Sequence, residues 1–192
     1  TPEVIKAALI GFSSIEDAGN CVAQIIAKGC IPAGMEIMDK ALLKATNDFC
    51  KAGYPTEAEA MMIIEFDGSE FEVESHIKTA EKIAKENNSS SIKISQSNEE
   101  RLKFWSGRKA AFPACGDLAP DYMCMDGSIP RGKLAEVLKE INNLSKKYKL
   151  PVANAFHAGD GNLHPLIMFD ASDKDQLRRC EEFGADILKY CV

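Results

Sequence analysis

Apolar residues alternate along the first half of the chain between strand-like runs and helix-like spacing. The runs that predict strands lie at residues 7–12, 36–38, 60–66 and 91–95. The segments that predict amphipathic helices lie at residues 15–28, 39–51 and 71–86. Two β-α-β units in succession indicate an α+β fold, a ferredoxin-like plait with an antiparallel sheet and helices on one side. The helix at 39–51 would be an insertion in this plait.

The second half continues this pattern without a linker, so the sequence predicts one domain over residues 1–192. Further strands are predicted at 122–129, 152–156 and 166–169. Helices are predicted after Asn98, after Pro130 and after Ser172. We expect the first of these helices to end at Pro113, and Ser13 with Glu16 has the spacing of a capping box ahead of the helix at 15–28.

Composition and charge exclude several classes of protein. The chain has 192 residues, of which 45% are hydrophobic and 27% charged, as in ordinary globular proteins. The net charge of −6 argues against a nucleic-acid surface, and no apolar run approaches the ~18 residues of a membrane helix. Seven scattered cysteines without a CxxC motif indicate reduced thiols, and hence a cytoplasmic location.

Two of the three histidines lie close together in sequence. His157 and His164 flank Asp160-Gly161-Asn162, a strong turn signal, and apolar strands lie on either side. A hairpin about this turn would place the two imidazoles opposite each other, close enough to share a metal ion. A catalytic metal usually needs a third protein ligand, so a residue from elsewhere would have to complete the site. Two ordinary structural histidines are the alternative.

Adjacent cations follow the single tryptophan, in the order Trp105, Ser106, Gly107, Arg108, Lys109. Arg108 and Lys109 could hold a carboxylate, since a guanidinium binds it through two parallel hydrogen bonds. A solvated helix end with favourable cations explains the same residues. Ser128 and His76 fit structural roles, as a helix cap and an exposed helix residue.

Several segments together resemble one known family. Residues 157–164 resemble the HxGDGNxH signature of the FAD-linked oxidase C-terminal domain, and residues 104–114 resemble its substrate-arginine segment. Residues 31–39 and 121–130 are similar to the same family. The resemblance covers the whole chain and is strongest to the glycolate oxidase branch, beside the D-lactate and D-2-hydroxyglutarate dehydrogenases.

The resemblance implies the cap, or substrate, domain of a flavoprotein that oxidises a 2-hydroxy acid by passing a hydride to FAD. His157 and His164 would bind a divalent metal, Zn, Mn or Fe, that polarises the substrate. Arg108 would hold the substrate carboxylate, and Asn162 would approach the flavin or the substrate. Partner flavin and iron–sulfur subunits are expected, and these could associate the protein with a membrane.

Two parts of the family pattern are absent from the 192 residues. The flavin-binding domain would precede Thr1, and a Glu-His-Gly segment with the third metal ligand and the catalytic base would follow Val192. We therefore expect a chain cut at both ends, with no catalytic base and no turnover of its own. The alternatives are a ferredoxin-like ligand-binding regulatory module without redox activity, and a metal-dependent hydrolase or oxygenase built on the histidine pair.

Overall fold

Strands and helices alternate throughout residues 2–191, which the computed structural model describes. The strands are β1 (Val4–Phe12), β2 (Gly34–Asp39), β3 (Ala60–Gly68), β4 (Ser89–Ile94), β5 (Asp121–Cys124), β6 (Gly127–Ser128), β7 (Val152–His157) and β8 (Asn162–Phe169). The helices are α1 (Ile15–Ala27), α2 (Lys40–Cys50), α3 (Glu70–Glu86), α4 (Asn98–Lys109), α5 (Ala111–Ala114), α6 (Leu134–Tyr148) and α7 (Lys174–Cys191). Single 3₁₀ turns lie at Cys115–Asp117 and Arg131–Lys133.

One antiparallel sheet runs through the molecule in the order β4-β1-β3-β2-β7-β8-β5, with β6 also paired to β8. The first four strands, with α1 and α3 as their crossovers, have the order 4-1-3-2 of a ferredoxin-like plait. The α+β fold with an antiparallel sheet and an inserted helix is therefore confirmed.

The second half repeats the first in part. In both halves a strand is followed by a helix, then by two paired strands, then by another helix. The first half also has α2 between its paired strands, and the second half has β6 ahead of its first helix. The order β7-β8-β5 corresponds to β2-β3-β1 of the first half. The halves join where β2 pairs with β7, the matching strand of each. The molecule is thus two related units that share one sheet.

Helices cover both faces of this sheet, so the expectation of helices on one side was wrong. The first face packs against α1, α3, α6 and α7 through a core that includes Ile10, Ile64 and Phe156. The second packs against α2, α4 and α5 over Leu9 and Ile63. Neighbouring residues of β1 and β3 are buried on opposite faces, and a strand that is apolar on both faces requires two covering layers.

Three helices have an N-cap residue one position away from the residue that the sequence pattern indicated. The capping side chains belong to Ser14, Ser97 and Asp173 in place of Ser13, Asn98 and Ser172. Ser14 and Ser97 have extended backbones, with φ of −150° and −147°, which an N-cap requires. A complete capping box lies instead at Ser69 and Glu72, ahead of α3.

Two proline-related expectations also change. Pro113 does not end α4, which stops at Lys109; it lies inside the short helix α5, whose first turn tolerates a missing N–H. Pro130 precedes a 3₁₀ turn, and α6 begins only at Leu134. The strand expected at 122–129 is interrupted between β5 and β6, although both pair with β8.

The chain's cysteines are free thiols, several of them in the core. Burial raises the pKa of Cys21 to about 12, so its thiol stays protonated at neutral pH. Among residues 2–191, no helix combines the length and apolar character needed to span a membrane.

Asp39 ends β2 and caps α2, since its carboxylate accepts the N–H of Leu42 at 3.1 Å. It also accepts the amide of Asn154 at 2.7 Å, while the other amide atom of Asn154, its buried Oδ1, has no partner among the described residues. Burial outweighs these hydrogen bonds and raises the pKa of Asp39 to about 6.

We expect Asp39→Asn to stabilise the chain above pH 6. The native pKa of Asp39 exceeds the unfolded value of ~3.9. The protonated carboxyl therefore contributes fully to the free energy of unfolding below pH 4, and this contribution is lost as the pH rises to 6. Asparagine caps a helix equally well, and rotation of the Asn154 amide presents its free oxygen to the new donor. Because Asp39 retains some exposure, the expected gain is about 1 kcal/mol.

The measurement is urea denaturation of both proteins across this pH range. The control Asp39→Ala removes the cap and should cost about 1 kcal/mol at neutral pH. A difference between wild type and Asp39→Asn that is independent of pH would contradict the assignment.

Candidate functional site

A row of polar side chains crosses the second face of the sheet. Glu36 on β2 pairs with His157 on β7, His157 pairs with Asn162 on β8, and Asn162 pairs with Ser128 on β6. Residues directly opposite each other on neighbouring strands point to the same face. These four residues, the polar row, therefore extend side by side across the junction between the two halves of the fold.

The two predicted histidines lie together at this row. Their ring centroids are 5.0 Å apart with the rings nearly perpendicular. They are diagonal neighbours, not opposite each other as expected, because His164 pairs with Ala155. The tight turn between them closes where the N–H groups of Asp160 and Gly161 both reach the carbonyl of His157. The structure thus brings both imidazoles to one face by pairing β7 with β8.

Glu36 joins the histidine pair to the predicted arginine. One carboxylate oxygen lies 2.5 Å from Nδ1 of His157, and the other accepts the Nε–H of Arg108 at 2.9 Å. The residue is only 9% exposed. Glu36 has no role among the sequence-based expectations, although residues 31–39 lie among the segments that resemble the family. Its signal was a lone carboxylate inside the apolar run Met35–Met38, since buried charges occur almost only with partners.

Arg108 reaches the row from the last turn of α4, and a second, partly buried carboxylate anchors that helix. Glu65 on β3 accepts both the guanidinium of Arg101 at 2.8 Å and the indole N–H of Trp105 at 2.7 Å. The Trp105 ring lies against Gly34, where any side chain would meet it at 3.1 Å. Arg108 follows one turn later and faces Glu36.

The other predicted residues have different surroundings. Lys109 is exposed and does not join Arg108 at Glu36. Ser128 is exposed at the end of the row. His76 is half-buried on α3 beside Phe66, with ring centroids 5.2 Å apart, far in the fold from the other two histidines.

His164 and Asn162 place polar atoms at the row in partly buried positions. Burial and the neighbouring His157 lower the pKa of His164, which favours its neutral form. The Oδ1 atom of Asn162 is buried and has no hydrogen-bond partner among the described residues. A neutral imidazole and an unpartnered buried oxygen are both available to a group that binds here.

The histidine pair fits a metal ion in part. Two imidazoles that share a tetrahedral Zn²⁺ through bonds of ~2.0–2.1 Å have ring centres about 5 Å apart, as His157 and His164 do. Within residues 2–191, however, His, Cys, Asp and Glu form no group of three that could hold a metal. The described chain therefore offers two ligands, and the carboxylate nearest to them, Glu36, is already engaged by Arg108.

A cavity of about 220 Å³ opens beside Glu36 and His157. Met35 and Ile31 contribute apolar surface, and Arg131 places a cation on its wall. A larger surface groove of about 430 Å³ runs past Asp39 and contains none of the predicted site residues. The small cavity is therefore the one that adjoins the site's charged groups.

Comparison with known proteins identifies relatives over the whole chain. The sequence model of the family described as FAD linked oxidases, C-terminal domain, matches residues 1–192. The chain is 48% identical over 191 residues to glycolate oxidase subunit GlcD of Escherichia coli K12, and 35% identical to GlcD of Bacillus subtilis. It covers 38% and 41% of the length of these proteins. A probable mitochondrial D-lactate dehydrogenase of Danio rerio is 28% identical over 186 residues, or 95% of this chain and 37% of that protein.

Solved structures show the same fold at low sequence identity. A p-cresol methylhydroxylase with substrate bound superposes on 98% of this chain, and on 43% of its own, with a TM-score of 0.69 and 14% identity. An alkyldihydroxyacetonephosphate synthase superposes on 99% of this chain, and on 40% of its own, with a TM-score of 0.68 and 15% identity. These likenesses establish the fold alone, because identity is too low to carry the site.

Close packing between Gly107 and Tyr54 fixes the part of α4 that carries Arg108. Tyr54 donates its hydroxyl to the carbonyl of Phe104 at 2.5 Å. A Cβ added at Gly107 would lie 2.2 Å from the hydroxyl oxygen of Tyr54. Gly107→Ala should therefore displace α4 and cost about 1–3 kcal/mol through overpacking, despite the better helix propensity of alanine.

Denaturation followed by the fluorescence of Trp105 measures this cost, and the emission should also shift as the indole leaves Glu65. The matched control is Gly116→Ala, because no atom lies within 4 Å of a Cβ added at that glycine. Equal stability of the two variants would show that Gly107 does not set the position of α4.

Proposed function

The chain belongs to the FAD-linked oxidase C-terminal domain family, and from this we propose that it is the substrate-side cap domain of a glycolate oxidase-like dehydrogenase. Such an enzyme oxidises a 2-hydroxy acid with FAD as the hydride acceptor. The chain spans about two fifths of its curated relatives, so the activity would belong to a longer protein that also contains a flavin-binding domain. The identity to GlcD favours this function over a regulatory module without redox activity.

One observation carries the proposal: Glu36 contacts Arg108 and His157 at the same time. A 2-hydroxy acid has a carboxylate and a hydroxyl on adjacent carbons. The junction of the two halves likewise presents a guanidinium beside a pair of imidazoles. Arg108 has no hydrogen bond from its two terminal amino groups to the described residues, so these groups are available to a substrate carboxylate.

The histidine pair would hold a divalent metal. His157 and His164 have the ring separation that such an ion requires, and burial favours the neutral, ligating form of His164. The third ligand and the catalytic base would come from residues outside this chain. When bound, the metal supplies Lewis acidity that lowers the pKa of the substrate hydroxyl. Zn, Mn and Fe all suit imidazole and carboxylate donors.

The chain's own residues then orient and desolvate the substrate. Arg108 fixes the carboxylate end, and this contact limits rotation about the bond to the carbinol carbon. When bound, FAD would supply the acceptor for the carbinol hydrogen as hydride, and the base from outside this chain would take the hydroxyl proton, so the product would be a 2-oxo acid. Asn162 would accept a hydrogen bond from the substrate or flavin at its buried, unpartnered oxygen.

Assembly and location are further parts of the proposal. The GlcD relatives are subunits of glycolate oxidase, which supports a role beside flavin and iron–sulfur partner subunits. We place the complex in the cytoplasm, with any membrane association made through the partners. Within residues 2–191 the chain offers no transmembrane helix of its own.

We expect Arg108→Ala to weaken substrate binding in the full-length protein. Loss of a charged hydrogen bond of about 1.5–3 kcal/mol corresponds to a KM roughly 10- to 150-fold higher for glycolate and D-lactate. Arg108→Lys should restore only part of this loss, since an ammonium cannot bind a carboxylate through two parallel bonds. The matched control is Lys109→Ala, which removes the adjacent exposed cation and should leave KM unchanged. Steady-state kinetics with a KM unaffected by Arg108→Ala would refute this role.

Metal content gives a second test of the proposal. His157→Ala and His164→Ala should each abolish tight binding of Zn²⁺ or Mn²⁺ by the full-length protein, because one imidazole and the third ligand are too few to retain the ion. His76→Ala removes the remaining histidine of the chain and should leave metal content unchanged. Elemental analysis after dialysis measures all three variants. Stoichiometric metal in both site variants would mean that the histidine pair is structural.

A further inference from the structure

Glu36 lies at the centre of the candidate site, although no substrate or cofactor group has to touch it. We infer that Glu36 is a positioning residue, which sets the tautomer of His157 and the direction of Arg108 through its two carboxylate oxygens. The inference rests on the proposed function for its consequences in catalysis. The arrangement of protons that it requires can be tested without turnover.

Strand pairing fixes the backbone position of Glu36 independently of its side-chain contacts. In one register, β2 pairs Glu36 with Ile63 on β3 and with His157 on β7. The side chain is nearly buried, with the carboxylate oxygens 2.5 Å from His157 and 2.9 Å from Arg108. Two neighbouring strands and α4 therefore constrain this carboxylate.

A carboxylate in this position determines which nitrogen of His157 carries a proton. An ionised carboxylate only accepts hydrogen bonds, so the nitrogen that faces it, Nδ1, must be the N–H donor. In the neutral ring the lone pair is then on Nε2, at the opposite edge. Metal-ligating histidines commonly have this arrangement, in which a carboxylate holds one ring nitrogen and the metal takes the other.

The second oxygen of Glu36 selects the edge of Arg108 that a ligand can reach. It accepts from Nε, so the pair of terminal amino groups forms the remaining donor edge of the guanidinium. That edge suits a carboxylate bound through two parallel hydrogen bonds. Glu36 thereby orients the anion-binding group and the imidazole together.

A buried ion pair with a purely structural role is the competing explanation. The chain contains a suitable comparison in Glu65, which is partly buried and bridges two donors from α4, Arg101 and Trp105. Glu65 does not contact His157 or Arg108. If Glu36 only anchors α4, its removal should have the same effects as removal of Glu65.

The distinguishing substitution is Glu36→Gln, which keeps the shape of the side chain. An amide has one acceptor and one donor, so it cannot accept from both neighbours. Arg108 is always a donor and must take the amide oxygen. The amide N–H₂ group then faces His157, whose Nδ1 must become an acceptor. The substitution should therefore move the proton of His157 from Nδ1 to Nε2.

The experiment is two-bond ¹H–¹⁵N NMR on the full-length protein with ¹⁵N-labelled histidine, after removal of metal by a chelator. At about pH 8.5, two units above the usual histidine pKa, the neutral tautomers are resolved. The resonance missing in His157→Gln assigns the ring. We expect the Nδ1–H form in wild type and in Glu65→Gln, and the Nε2–H form in Glu36→Gln.

Two results would overturn the inference. One is an Nε2–H ring in wild type, which needs no variant and so does not depend on whether Glu36→Gln folds. The other is a tautomer that Glu36→Gln leaves unchanged or that Glu65→Gln changes equally.

Binding of metal alone keeps this test separate from the proposed function. Titration with Zn²⁺ should give a dissociation constant about 10- to 100-fold higher for Glu36→Gln than for Glu65→Gln, as for loss of other carboxylates behind ligating histidines. Equal affinities for the two variants would overturn the link from Glu36 to the metal-binding histidine. A further outcome is that wild type binds no Zn²⁺ while the His157 tautomer still differs between wild type and Glu36→Gln as expected. In that case the proposed metal site fails and the positioning role of Glu36 stands.

Discussion

The pairing of β2 with β7 is the constraint on which the site depends. This single antiparallel ladder joins the two halves of the sheet and sets Glu36 directly opposite His157. A shift of one residue would turn Glu36 towards the apolar first face, where its charge would have no partner. The cost of burying an unpaired carboxylate therefore favours the same register that assembles the site. Fold specificity and site geometry have a common cause here.

Helix packing supports this junction from the other side of the sheet. The first helix of each half, α1 and α6, meet so closely that a Cβ at Gly19 would lie 3.0 Å from the backbone of Ala135. Their apolar residues share one core with β2 and β7. The second face at the junction is polar where Glu36 lies opposite His157 and apolar where Met38 and Ala155 join the second core. The first face at the junction is thus core alone, whereas the second combines core packing with the polar row.

The sequence predicted the elements more successfully than the geometry between them. Apolar periodicity located the strands and helices, because it records which face of each element is buried. The second helical layer was missed, since the periodicity of α2 shows an apolar face without showing which face of the sheet it covers. The diagonal offset of His157 and His164 depends on how the turn at Gly161 closes, with its φ of +74°. Glu36 was missed because its partners lie 72 and 121 residues away in sequence.

The placement of charge around the site explains why the described chain holds only part of the proposed chemistry. Glu36 already satisfies Arg108 and His157, so it cannot also serve as a free metal ligand or base without releasing one of them. Releasing Arg108, whose side chain is only 11% exposed, would leave a largely buried donor unpaired, at a cost of about 1–3 kcal/mol. A base or third ligand is therefore more easily supplied by a separate group that approaches the open side of the polar row. The cavity beside His157 leaves that side accessible. A domain of this kind can fix the substrate on rigid strands while the groups that react with it arrive from elsewhere.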